Sequence, residues 1–279
     1  MAKVLVVGCG DLGGEIARLL DDTGHEVIGV RASNKSLSAN IQVIQADVTH
    51  PTVLSVLENL KPEVLIYCVA AGTQTDESYK TVYVDGLKNV LATQASNHRL
   101  LHVFFVSSSR VYGETCGEVL NENTPAIPAD FGGKRLLEAE SLLKHLPCKA
   151  TSMRLSGIYG RGRLYLANLA KDPGRWPRQN SWSNRIHRDD AACFIVFLCE
   201  KVLNKEPVED CYIVTDDRPT QQYEVLIWLA REQGFDIADV NVPSAHGGKR
   251  LSNQRLRDTG FQLHYPDYQA GYRHVLQSL

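Results

Sequence analysis

Three glycines near the amino end, Gly8, Gly10 and Gly13, stand at the spacing G-x-G-x-x-G. In such a turn the first glycine permits a tight reversal and the second lets the backbone approach a pyrophosphate. The third allows the following helix to pack close to a strand. A helix opening there directs its amides and its positive end at the phosphates. The chemistry is dinucleotide binding; the alternative is an ordinary glycine turn. Asp11 and Leu12 lie inside the same turn. About twenty residues on, an Asp or Glu would bond a ribose 2′-hydroxyl, but the chain reads Val30-Arg31-Ala32-Ser33. Arg31, with Ser33 beside it, suits a 2′-phosphate, so NADP is expected ahead of NAD unless Arg31 is merely a surface-loop residue. Asp47 either bonds the adenine amino group or caps the next turn.

A second group lies beyond the middle of the chain. Arg161, Arg163, Arg175, Arg178 and Arg185 alternate with Trp176 and Trp182. Arginines grip phosphate or carboxylate bidentately and indoles stack on flat rings, which suits an anionic small molecule such as a nucleotide diphosphate. The alternative is a basic loop pairing with surface carboxylates. His187, Asp189 and Asp190 follow; they offer an acid–base pair, or Asp189 or Asp190 caps the next helix. No Cys, His, Asp or Glu set has metal-ligand spacing, so no metal is expected.

The elements that must position these residues read as strict alternation. Lys3–Val7 (KVLVV) is a buried strand, and Leu12, Ile16, Leu19 and Leu20 form a helical stripe that Gly24 ends. Strands follow at 25–30, 41–46, 63–71 and 100–109, with helices near 51–60 and over 77–97. A helix at 132–145 and a strand at 149–155 still extend the sheet; in the second part helices are expected at 189–203 and 221–233, with a strand at 211–215. Apolar strands alternating with helices specify a doubly wound parallel sheet covered on both faces, the Rossmann architecture. The fold class is α/β: a dinucleotide-binding domain over 1–155 and a smaller substrate-side α/β region over 156–279, some of whose elements return to the sheet. That smaller region is expected to lie over the carboxyl ends of the strands.

Bulk composition narrows the classes further. The chain has 279 residues, 43% hydrophobic and 22% charged, with 30 basic against 32 acidic side chains and a net charge of −2. No basic stripe suits a polyanion, so nucleic acid is not expected as a partner. Seven scattered cysteines without a C-x-x-C pair argue for a reducing compartment. No apolar run approaches the roughly 20 residues needed to span a bilayer. A cytoplasmic protein without membrane contact is expected.

The segments GCGDLGGEIA, YVDGLKNVL (83–91), FFVSSSRVYG (104–113), RLSGIYGRGR (154–163) and NRIHRDDAA (184–192) resemble, in this order, the extended short-chain dehydrogenase/reductase superfamily, in its nucleotide-sugar epimerase and dehydratase branch. More narrowly they resemble its atypical single-chain NAD(P)-binding members. The resemblance implies that Ser108, four residues before Tyr112, bonds the reacting oxygen, and that Val69 and Ala70 join the cofactor set. It also implies a tyrosine–lysine acid–base pair some twenty residues on. Alignment on Leu-Glu-Ala-Glu puts Gly132 and Leu136 there; a one-residue slide gives Phe131 and Arg135. Neither register holds a tyrosine. Tyr112, Lys134 and Tyr83 are the substitutes to test, each with a plainer structural role. General acid–base catalysis contributes roughly 10²–10⁴-fold, so the loss matters. Two readings follow: an NAD(P)-dependent oxidoreductase, epimerase or dehydratase acting on a nucleotide sugar or similar anionic molecule, with Arg161, Arg163, Trp182, Arg185 and His187 on the substrate side; or a non-catalytic dinucleotide-sensing or interaction module on the same fold. A homodimer through the helices at 77–97 and 132–145 is a further implication of the resemblance.

Overall fold

The β-branched block KVLVV forms the first strand because every side chain after Lys3 is fully enclosed. A computed structural model describes residues 1–34, 36–37, 40–113 and 118–278. Seven strands make the main sheet: β1 (Lys3–Val7), β2 (Glu26–Arg31), β3 (Gln42–Gln45), β4 (Val64–Tyr67), β5 (His102–Ser108), β6 (Lys149–Leu155) and β7 (Cys211–Val214). Their spatial order is β7-β6-β5-β4-β1-β2-β3. Chain direction reverses its march at β1, and parallel registers run Val4↔Val27, Val4↔Val64, Ile28↔Gln42 and Val64↔His102. This is the doubly wound Rossmann sheet that the alternation predicts.

The first helix, Asp11–Asp22, buries Leu12, Ile16, Ala17 and Leu20, one stripe at helical spacing. Two expected helices differ in kind. Residues 51–57 form a 3₁₀ run, whose two buried side chains, Leu54 and Leu57, stand three apart as that geometry requires. The expected long helix runs from Asp76 to Thr93 but widens into a π turn over Lys80–Asp85. There the Tyr67 hydroxyl donates to the Val82 carbonyl at 2.6 Å, taking an acceptor that a regular helix would use internally.

The chain divides into two compact units. One comprises Met1–Gly113, Ala126–Arg154 and Ala191–Tyr212; the other comprises Glu114–Pro125, Leu155–Asp190 and Ile213–Leu279. The second unit has a three-stranded sheet joining 180–183 to 220–221 and 245–248, and two two-stranded pairs. Its core gathers Tyr159, Leu169, Trp176, Tyr223, Leu226, Leu229, Tyr268, Tyr272 and Val275. Among the described residues no helix is long and apolar enough to cross a membrane, no group could hold a metal ion, and none of the six cysteines is in a disulfide. Cys116 lies outside the described residues.

Candidate functional site

In the first unit the glycine turn leaves β1 and re-enters as the first helix. Gly8 has φ +96°, and a Cβ there would stand 2.6 Å from the Cys68 carbonyl carbon. Its amide and that of Cys9 both donate to the Val30 carbonyl, at 2.8 and 3.0 Å. A Cβ on Gly13 would collide with the Gly8 carbonyl, so the helix can start this close only with glycine. Around Gly10 a Cβ would meet nothing within 4 Å, and no side chain caps the helix that begins there. The first and third glycines are therefore required by the protein itself, and the second is not. Asp11 is exposed and Leu12 is buried. A cradle of backbone with open space over Gly10, followed by an uncapped helix N-terminus, fits a dinucleotide pyrophosphate.

The neighbouring candidates gather round this turn to different degrees. Val69 and Ala70 lie one residue beyond β4, after Cys68; the Val69 amide lies 2.7 Å from the position of a Gly8 Cβ, and Ala70 is exposed. Arg31 ends β2 and its Nε donates to Ser33 Oγ at 3.2 Å on the surface. Asp47 Oδ1 accepts from the Thr49 amide at 2.9 Å and from its hydroxyl at 2.8 Å. The Thr49 amide above all holds the Asp47 carboxyl below its ordinary value. Asp47 thus caps this turn, with its side chain 47% exposed and Oδ2 3.7 Å from His50 Nδ1.

At the end of β5 two serines diverge. Ser107 is buried and donates to Glu140 Oε1 at 2.6 Å. Glu140 is paired with Arg154, whose Nε lies 3.0 Å from Oε1 and Nη2 2.6 Å from Oε2. Arg154 Nη1 donates to the Tyr112 hydroxyl at 2.7 Å, which ties Tyr112 into this buried chain. Ser108 is half-buried and its Oγ accepts from the Arg110 amide at 3.2 Å. Lys134 is exposed in the first turn of the helix Phe131–Leu143. Tyr83 lies in the π turn, hydrogen-bonded to the Ala71 backbone, with its phenol pKa pushed up by burial.

The residue that sequence reading missed is Arg110. A Cβ on Gly132 would stand 2.5 Å from Arg110 Cζ, and one on Gly133 would strike the Arg110 carbonyl. The guanidinium fills the space that any side chain at position 132 would enter. Its Nε donates to both Asp130 oxygens, at 3.0 and 2.9 Å, and its Nη1 to Gln74 Oε1 and the Tyr79 hydroxyl, both at 2.9 Å. The rings of Tyr79 and Phe131 lie 5.1 and 5.2 Å from Cζ. Asp130 also caps the helix through the Gly133 amide at 2.9 Å. Leu136 is buried. The signal was present: a Gly-Gly pair in a helix's first turn marks a close neighbour.

The second unit separates the arginine-rich group. Arg163 and Arg185 line a cavity of about 550 Å³ together with Tyr159, Asn184, Gln222 and Tyr272. Arg161 is exposed nearby in sequence but does not line it. Trp182 carries the Arg250 guanidinium over its ring at 4.8 Å, and Trp176 is core, its Nε1 donating to the Leu169 carbonyl at 3.0 Å. The stacking role expected of Trp176 is thereby overturned. His187 is buried with Nε2 unpartnered, and its Nδ1 accepts from the Asp189 amide at 3.2 Å. Burial lowers the His187 pKa, against the pull of Asp189 and Asp190. Neither aspartate is an N-cap: the helix begins at Arg188, and Asp190 accepts from the amides of His264 and Tyr265, both at 2.9 Å.

A model of the NAD dependent epimerase/dehydratase family matches residues 4–212. The chain belongs to that family. A candidate NAD-dependent epimerase/dehydratase of Methylobacillus flagellatus is 46% identical, with a TM-score of 0.90, and the match covers 99% of this chain and 98% of that one. Protein YeeZ of Escherichia coli K12 is 26% identical over 285 residues, 96% of this chain and 97% of YeeZ. WbmG of Bordetella bronchiseptica, whose structure holds NAD and UDP, aligns with a TM-score of 0.80 at 16% identity over 99% of this chain and 94% of its own. At that identity the likeness concerns the fold.

Proposed function

We propose that this member of the family is an NAD(P)-dependent oxidoreductase or epimerase/dehydratase whose substrate is a nucleotide sugar or a similar anionic small molecule. The Gly8–Gly13 cradle carries the reading, because two of its glycines serve the fold and Gly10 serves no packing need. Bound in that turn, a nicotinamide dinucleotide supplies or accepts hydride. Arg31 and Ser33 receive a ribose 2′-phosphate, which favours NADP over NAD. Asp11, Leu12, Val69 and Ala70 line the dinucleotide. The first unit holds the cofactor and the second holds the substrate, with Arg163 and Arg185 taking its anionic group. Arg161, Trp182 and His187 support that part of the site. The WbmG structure with UDP, and a Thermotoga maritima UDP-glucose 4-epimerase with UDP-glucose, make a nucleotide sugar the first substrate class to try.

Ser108 bonds the reacting oxygen and Arg110, beside it, stabilises negative charge developing there. An arginine held by Asp130 does not titrate near neutral pH, so this site polarises an oxygen rather than shuttling a proton as a tyrosine would. Tyr112, committed to Arg154, and exposed Lys134 are secondary candidates. A homodimer through the 76–93 and 131–143 helices, and a cytoplasmic location, belong to the same proposal.

The second reading, a dinucleotide-sensing module without turnover, is favoured by one observation: Arg110 stands where a side chain at position 132 would lie. NADPH or NAD turnover over a panel of nucleotide sugars and carbonyl compounds decides between them. The enzyme reading expects turnover that Ser108→Ala and Arg110→Ala each reduce at least tenfold with cofactor affinity unchanged. Tight cofactor binding without turnover across the panel supports the sensing module instead.

A further inference from the structure

The cavity of about 550 Å³ in the second unit has a buried guanidinium in its wall. Arg185 is 3% exposed; its Nη2 donates to Ser183 Oγ at 2.6 Å, and its Cζ lies 5.6 Å from the Tyr268 ring centre. Its Nη1 has no partner. A buried, charged donor left unpaired is costly, and the cost is removed when an acceptor enters the cavity. Asp216, 1% exposed, does not line the cavity but is joined to Arg185 through the backbone. Its amide donates to the Arg185 carbonyl at 2.8 Å, and its Oδ1 accepts from the Arg218 amide at 3.2 Å. Its Oδ2 is unpartnered as well. Arg185 and Asp216 thus face one another electrostatically without forming an ion pair.

We propose that this cavity takes an organic oxyanion on the Arg185 guanidinium and that Asp216 gates it, leaving the positive charge to the ligand when neutral and cancelling that charge when ionised. The inference rests on reading the second unit as the part that holds the substrate. The groups around Asp216 come from several elements. Burial above all, then Asp217 and Asp267, push its carboxyl up to about 8, while Arg185 and the Arg218 amide pull against that rise. Tyr159 and Tyr272 also feel Asp216; burial pushes both phenols up, that of Tyr272 to about 12, so they stay neutral through this range. Burial lowers the pKa of His187, whose ring stands against Tyr159 at 5.2 Å, so it too holds one state. Asp216 is the group that changes charge.

With the gate at about 8, roughly nine-tenths of the protein is neutral at Asp216 at pH 7 and roughly one-tenth at pH 9. If the neutral form alone binds, the apparent dissociation constant rises about tenfold between them. Titration with sodium sulfate against sodium chloride at constant ionic strength reads this directly, since sulfate keeps its charge throughout. The expected result is the tenfold loss in the unaltered protein, loss of binding at both pH values in Arg185→Gln, and pH-independent affinity in Asp216→Asn. Equal affinity of the unaltered protein at pH 7 and 9, binding that Arg185→Gln does not weaken, or no sulfate binding at pH 7, overturns the proposal. A parallel titration with UDP-glucose separates this from the substrate reading. If UDP-glucose binds no better than sulfate but both follow the pH gate, the gate stands and the nucleotide-sugar class falls. If UDP-glucose binds tightly and equally at both pH values, the gate falls and the class stands.

Discussion

Arg110 excludes a side chain at Gly132: a Cβ there would stand 2.5 Å from the Arg110 Cζ. The guanidinium is not free to step aside, because Asp130, Gln74 and the Tyr79 hydroxyl all hold it. The space that a side chain at position 132 would take is held by a pinned cation.

The exclusion predicts a reversal of sign. Gly132→Ala overpacks against Arg110 and costs about 1–3 kcal/mol. With Arg110→Ala already in place, the same replacement becomes neutral or stabilising by up to about 1 kcal/mol, since alanine is the better helix former. A double-mutant cycle by denaturant unfolding measures the coupling; additive effects would mean the two side chains do not share the space.

The glycines of the turn separate folding from binding. Gly8→Ala, strained at φ +96° and set against the Cys68 backbone, costs about 2–4 kcal/mol. Gly10→Ala meets nothing within 4 Å and changes stability by less than about 0.5 kcal/mol, while weakening NADPH at least tenfold. Thermal melts with and without NADPH check both; a destabilised Gly10→Ala protein would contradict the assignment.

Much of this was legible beforehand, for identifiable reasons. Strand blocks such as KVLVV and VLIY are apolar throughout because both sheet faces are covered, and the Leu12, Ile16, Leu20 stripe has one period and one meaning. Arg110 was legible only indirectly, since the Gly132-Gly133 pair marks a close neighbour without saying which residue it is. Asp216 was not legible: nothing local in CYIVTDDR distinguishes a buried carboxyl from its exposed neighbour Asp217. Trp176 misled because an indole beside arginines reads the same whether it faces a ligand or a core.

The buried ion pair gives a third expectation. Arg154 and Glu140 are each under 9% exposed and meet at 2.6 Å. Removing one partner leaves an uncompensated buried charge, so Glu140→Leu costs about 3–5 kcal/mol, and Glu140→Leu with Arg154→Met costs less than the two single losses added together. Chemical denaturation of the four proteins decides it; strict additivity would argue that the pair is not coupled.

Asp216 also links stability to pH. Its carboxyl is raised from about 3.9 in the unfolded chain to about 8 when folded. The folded state therefore holds the proton more tightly, and this contribution, complete below pH 4, is lost as pH rises towards 8. Relative to the unaltered protein, Asp216→Asn should gain about 1.4 kcal/mol of stability per pH unit across that window. Parallel slopes in urea unfolding between pH 5 and 8 would mean that the group titrates normally.

The most direct test of the whole account is a fluorescence titration of NADPH, and of NADH beside it, into the protein and into Gly10→Asp. Saturable binding of NADPH, tighter than NADH and abolished by Gly10→Asp in a protein that still melts cooperatively, is the predicted result. An unaltered protein indifferent to both nucleotides, or a Gly10→Asp protein that binds them as well, would contradict it.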